Sequence, residues 1–387
     1  MLAATPSQAR VVPLTLPGGF FLLASLALAW GAALLALNPE ALSAYRHPVV
    51  LAAAHLLLLG FGVGVLVGAM HQLVPVIVEA PLYRPGLGYG VMLLWGVGVP
   101  LEAAGFLAGR PEWVAVGGGL VLLALFTFGV QMGLTFLSAP RWNRVATALA
   151  WVTFYLVLTP VLGLVQALAP RYGFYDPERL VWHVLAGLGG IFLLAILGVG
   201  HKLVAMFTLA HGVREEVLGL VLWTVNLGLL GLALGERTGG VLLAVGVGLG
   251  GVDLWRILKR RTRRALDIGV RHYVAGMGFL VLTLGALAVG NVLVAGTWFV
   301  LGFVGLVTTG MLYKILPFLV WTHRYAPRVG REPVPMLKEM LPERAAYLAG
   351  VLFALGALLA PGWPQALWLF ALGTLPYTYA LWEVVRR

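Results

Sequence analysis

The chain has no cysteine among its 387 residues and little charge, only 11% of residues being Asp, Glu, Lys or Arg. Without thiols, disulfides, thiolate zinc sites and cysteine-ligated iron–sulfur clusters are excluded. So little charge excludes an ordinary soluble body, for which roughly 25% is usual. Long polar stretches are also missing, which argues against a sizeable soluble domain. The opening MLAATPSQARVV leads into an apolar run with no clear small-residue cleavage site, so no signal peptide is expected. No carboxylate pair, nucleophile triad or phosphate-cradling glycine loop stands in a credible context, and no catalytic residue is assigned.

What the chain has is apolar length: 60% of its residues are hydrophobic. Twelve apolar segments lie near 15–37, 48–79, 87–109, 113–138, 143–168, 180–211, 215–234, 238–257, 270–290, 295–321, 342–360 and 364–384. A helix needs about 20 apolar residues to cross the hydrocarbon. The fold class expected is therefore an all-α polytopic membrane protein with twelve transmembrane helices, a single transmembrane domain in contact with the lipid bilayer. The glycines inside the segments let helices approach closely.

Orientation follows from the basic loops. RILKRRTRRALDIGVR, 256–271, holds seven basic residues and one acid, which places it in the cytoplasm. Alternation then puts both termini inside, together with Arg141, Arg144, Arg386 and Arg387. The formal charge of +11 comes largely from such loops. A basic loop beside anionic lipid fixes topology, so no nucleic-acid partner is expected. The location expected is the plasma membrane.

Three stretches line up. HQLVPVIVEAP starts at His71, HKLVAMFTLAH at His201 and YKILPFLVWTH at Tyr313. Their second positions are Gln72, Lys202 and Lys314; their eleventh are Pro81, His211 and His323. A second anchor, LLWGVGV around Trp95 and VLWTVNL around Trp223, agrees with the first spacing. A period of about four helices predicts three four-helix repeats, approximately 1–138, 139–258 and 259–387, about a pseudo-threefold axis normal to the membrane. The second, sixth and tenth helices would then line the interior, where intramembrane polar groups point.

Eight histidines are present. His47 and His272 fall near helix starts and read as interfacial. His55 and His71 lie on the second helix, His183, His201 and His211 on the sixth, His323 on the tenth. His55 is roughly 24 Å along the helix from His71, and His183 roughly 27 Å from His201, too far for one metal to take both. Two layers are implied. On regular helices His183 and His201 share a face, whereas His55 and His71 do not. A lone histidine in a membrane helix commonly hydrogen-bonds a neighbouring helix. Four of them on two matching helices point instead to ligation. Neutral imidazole suits heme iron, copper or zinc, and His55, His71, His183 and His201 are the cofactor candidates. His201, His211 and His323 are the candidates for a bare metal.

Pro75 and Pro317 should each remove a backbone bond to the carbonyl four residues earlier, those of His71 and Tyr313. Lys202, Lys314, Gln72 and Tyr313 complete a polar interior. The lysines either snorkel to headgroups or serve a heme propionate, an anion or a proton path. Glu102 and Asp253 lie close to helix ends, and interfacial exposure is expected for both.

HLLLLGFGVGVLVGAMHQLVPV and TTGMLYKILPFLVWTHRY resemble the heme–copper oxidase superfamily, in particular its NnrS-like, oxidase subunit I-like membrane proteins associated with nitrogen-oxide metabolism. The resemblance covers most of the chain. It implies heme, b type first, with copper second, and a quinol or cytochrome electron donor; a homo-oligomer is compatible with it. It matches His55 to the low-spin heme ligand and His183 to the copper ligand. Two oxidase features have no counterpart. GTWFVLGFVGLVTTG lacks the His-x-His of the tenth helix, and LGERTGG stands where a histidine pair follows the seventh. The expectation is a heme-binding membrane redox protein, oxidoreductase-like, for nitric oxide, oxygen or electrons. The alternative is a proton, metal-ion or anion transporter using the same polar interior.

Overall fold

A computed structural model describes residues 12–172 and 177–387, with the backbone alone for 170–172 and 177–178. Among the described residues the chain is helical, without β-strands; one isolated antiparallel bridge joins Ala210 and Arg261. The principal helices are α1 (Thr15–Leu37), α2 (Pro48–Ile77), α3 (Leu87–Ala108), α4 (Pro111–Leu137), α5 (Arg144–Tyr172) and α6, which runs from Pro177 to Thr208. They continue as α7 (Glu216–Ala233), α8 (Thr238–Lys259), α9 (Ile268–Ala288), α10 (Val292–Arg324), α11 (Glu343–Leu359) and α12 (Leu367–Arg386). Each of the twelve expected segments coincides with one of these to within four residues.

Ten of them, α1 to α10, are long and apolar enough to cross a membrane, so the chain is a multi-pass membrane protein. In hydrocarbon, every backbone polar group must bond within its own helix, which is why these apolar runs become helices and nothing else. The last two differ. α11 has 17 residues, about 26 Å of rise, and α12 carries Glu383 and Arg386 in its last turn.

The chain divides into two compact units. One comprises the segment ending at Leu16 with Met70–Gly105 and Arg110–Ala265. The other comprises Pro17–Ala69, Phe106–Gly109 and Leu266–Arg387. The division falls inside α1 (Leu16/Pro17), α2 (Ala69/Met70) and α3 (Gly105/Phe106).

Three helices are not α-helical throughout. α2 is π-helical over Leu56–Val63, α6 over Leu185–Leu193 and α10 over Trp298–Val304. These are the three helices that carry the aligned histidine and tyrosine signatures. A π turn closes by i→i+5 bonds and takes more residues than an α turn. The regular rotation used to assign faces therefore does not hold between His55 and His71, or between His183 and His201. The shared face expected for His183 and His201 is corrected by the contacts below.

Glycine seats the helices. Gly68, Gly198 and Gly310 each stand three residues before His71, His201 and Tyr313. A Cβ on Gly68 would meet Phe20 of α1 at 2.8 Å; on Gly198, Ala148 of α5 at 2.5 Å; on Gly310, His272 of α9 at 2.5 Å. Eight residues earlier come Gly60, Gly190 and Gly302, all inside the π segments. Tyr155 lies over Gly190 and Phe279 over Gly302. Lipid supplies no hydrophobic drive for helices to associate, so such backbone-close van der Waals packing carries the association.

Candidate functional site

In the first unit, His71 is fully buried. The Gln131 amide nitrogen on α4 donates to the carbonyls of Tyr83 (3.1 Å) and Arg84 (3.2 Å). Its Oε1 therefore accepts, and His71 Nε2–H donates to it at 3.2 Å. Phe128 lies tilted against the imidazole with ring centroids 5.2 Å apart. Gly88 of α3 leaves room for the ring, since a Cβ there would stand 2.8 Å from His71 Nε2. Arg84 has φ +39°, a left-handed backbone that a residue with a side chain seldom adopts. Gln131 thus holds a strained turn as well as His71. Gln72 accepts from the Val12 amide at 3.3 Å.

His201 and Asp253 form the second constellation. Nδ1 of His201 on α6 and Oδ2 of Asp253 on α8 are 2.6 Å apart, at 5% and 4% exposure. The other carboxylate oxygen, Oδ1, is buried with no hydrogen-bond partner. Asp253 is therefore not at an interface. Glu102 is buried too. Both expectations of exposure fail for one reason: Gly117 of α4 packs on the Glu102 backbone, and His201 covers Asp253. Lys202, by contrast, points outward and is exposed.

His183, in the same unit, donates Nδ1–H to the Thr159 carbonyl at 3.0 Å. Gly163 makes space for its ring, a Cβ there falling 2.9 Å from Cε1. His183 thus faces α5 and His201 faces α8, not one shared compartment. His211 is exposed in the turn after α6. Thr262 ties that turn to the basic loop through the Leu209 carbonyl at 3.0 Å, and Arg260 does so through Gly212.

In the second unit, His55 is half-buried. Its Nδ1–H donates to the Leu51 carbonyl at 2.8 Å, and Phe106 lies 4.8 Å away ring to ring. Tyr313 is buried beside Tyr377 of α12 (5.7 Å between centroids) and His272 of α9 (5.4 Å). The Tyr377 hydroxyl reaches Ser25 of α1 at 3.5 Å. The Tyr313 hydroxyl has no hydrogen-bond partner. His272 is not interfacial: it is buried, 3.1 Å from the Thr309 hydroxyl, with its ring over Gly350. Of the two histidines read as interfacial only His47 is exposed, where it caps α2 by accepting from the Val49 amide. Lys314 does not snorkel; it pairs with Asp267 at 2.7 Å. His323 Nδ1–H donates to Leu319 O at 2.8 Å within α10.

Among the described residues no three His, Asp or Glu side chains come together as a bare metal ion would need. His201, His211 and His323 accordingly have separate surroundings. Sequence reasoning missed Gln131, Asp253 and Tyr377 as partners of the signature residues. The signal was present: each lies on the helix two after its partner's, in α4, α8 and α12. No protein-family model matches this chain, and no curated protein matches it in sequence.

Proposed function

We propose that this chain is a heme-binding membrane redox protein built from three four-helix units, with α11 and α12 completing twelve spans. The observation that carries the heme reading is the tautomer at His55 and His183. A carbonyl can only accept, so each Nδ1 carries a proton, and in the neutral imidazole Nε2 then keeps its lone pair. That is the form in which imidazole ligates iron, with the backbone carbonyl as the outer partner that fixes the ring. Each histidine stands at the start of a π-helical segment, one residue before Leu56 and two before Leu185. π-Helical turns concentrate at functional sites.

The donor set favours heme over a bare copper ion. A porphyrin supplies four nitrogens and asks the protein for one or two axial ligands. A bare ion asks for three or four, and no such group gathers among the described residues. When bound, heme supplies one-electron chemistry at its iron. The chain supplies the imidazoles, the Phe106 ring beside His55 and the glycine space beneath His183. The threefold reading is supported by the matching π segments, the glycines three residues before each signature residue, and the equivalent partners on α4, α8 and α12.

The test is a reduced-minus-oxidised spectrum of protein purified after expression with ample heme. A Soret and alpha band are expected, lost in His55→Ala or His183→Ala and retained in His71→Ala. A colourless protein that carries protons or ions across proteoliposomes would replace this reading with the transporter one.

A further inference from the structure

The signature residues of α2, α6 and α10 meet different chemistry. His71 meets an amide, Tyr313 a phenol and His201 a carboxylate. An amide does not titrate, and phenols ionise only near pH 10 in water. Of the three, only the histidine–aspartate pair sets a second ionisable group against an imidazole, so that a proton can pass between the two partners. We propose that His201 and Asp253 form an intramembrane proton-exchange site, separate from any heme ligand.

The geometry supports this at three points. First, at 2.6 Å the imidazole and the carboxylate share one short hydrogen bond, along which a proton can be held by either group. With the proton the pair is neutral; without it the pair carries one negative charge, and the proton leaves to water. Second, the site is sealed among apolar helices, where an isolated ionised side chain is costly and characteristic of proton relays. Asp253 Oδ1, buried and unpartnered, is the free acceptor through which a proton or water can enter. Third, an exit is short. His201 is seven residues from Thr208 at the end of α6, about 10 Å along the helix. There the chain turns through Leu209, φ +53°, against the basic loop.

No other ionisable group described near the pair competes with it. α6 packs with α5, α7 and α8. On these and on α6 itself, Arg144, Lys202, Glu216, Arg256 and Lys259 are exposed. Tyr155 donates to Asn226 at 3.0 Å, and His183 is held by the Thr159 carbonyl.

The experiment is solid-state NMR of the protein in liposomes, with 15N-labelled histidine and 13C-labelled aspartate carboxyls, from about pH 5 to about pH 8. His201→Gln assigns the His201 signals. The expected result is that the His201 ring or the Asp253 carboxyl changes protonation state within that range, and that Asp253→Asn abolishes or displaces the step while Gln131→Ala does not. A pair that keeps one protonation state throughout overturns the proposal, as does a His201 titration untouched by Asp253→Asn. Should Asp253→Asn fail to fold, the wild-type titration decides alone. Heme content does not enter this readout, so its outcome is independent of the spectrum above.

Discussion

His201 and Tyr313 sit at matching places in α6 and α10. Each follows a glycine by three residues, each follows a π-helical segment, and each meets a side chain from the helix two further on. Their surroundings nevertheless divide sharply. His201 faces a carboxylate in a hydrogen-bonded contact, whereas Tyr313 lies in an aromatic nest of Tyr377, His272 and Phe353, the last packed on Tyr377. The backbone arrangement is shared and the chemistry is not. One constellation holds a hydrogen-bonded histidine–aspartate pair; the other is held mainly by ring packing. Where helices with the same glycine spacing meet different polar partners, the partners set what chemistry each place can do.

The largest effect should come from breaking the carboxylate pair. Asp253→Ala leaves the His201 Nδ1–H buried without its acceptor, a cost of about 1–3 kcal/mol, and adds the cost of the void beside it. Thermal unfolding in detergent micelles should show it as a large drop in midpoint. A drop no greater than that of Tyr377→Phe would erase the difference between the two constellations. Next is the seat itself. Gly310→Ala places a Cβ 2.5 Å from His272 Cβ and 2.7 Å from the Gly269 carbonyl, and overpacking of this kind costs about 1–3 kcal/mol. Gly278→Ala in α9 meets nothing within 4 Å and should be neutral or slightly stabilising. Equal midpoints for the two variants would refute the packing role. Gln131→Ala should cost a similar or smaller amount, about 1–3 kcal/mol, because it frees His71 and two carbonyls of a strained turn. Proteolytic nicking near Arg84 should rise with it; unchanged cleavage would count against the clamp.

Much of the fold could be read from apolar length, because a membrane helix is forced by the solvent and leaves a run of about 20 residues. The helix limits were correspondingly close. Side-chain pairing was harder to read. Asp253 looked interfacial because it stands six residues from the end of α8, and only the packing of α6 across it shows that it is buried. His272 looked interfacial for the same reason, until Gly310 and Gly350 are seen to admit its ring. The π-helical segments carry no strong composition signal, since glycine recurs throughout these helices. They undo any face assigned by constant rotation. The histidine at position 71 was legible as special, but its partner Gln131 lies 60 residues on, beyond the reach of local pattern.

The smallest effect tests the aromatic side of the comparison. Tyr313 is 2% exposed and its hydroxyl has no hydrogen-bond partner. A buried, unmade hydrogen bond is a cost that the folded state carries. Tyr313→Phe keeps the ring contacts with Tyr377 and His272 and removes that cost. The expected outcome is an unchanged or slightly higher unfolding midpoint, a gain of up to about 1 kcal/mol. His201→Phe, made at the matching place in α6, should instead destabilise, because it strands Asp253 with both oxygens unbonded. If Tyr313→Phe destabilises as much as His201→Phe does, the phenol has a polar task of its own, and the two constellations are chemically closer than their partners suggest.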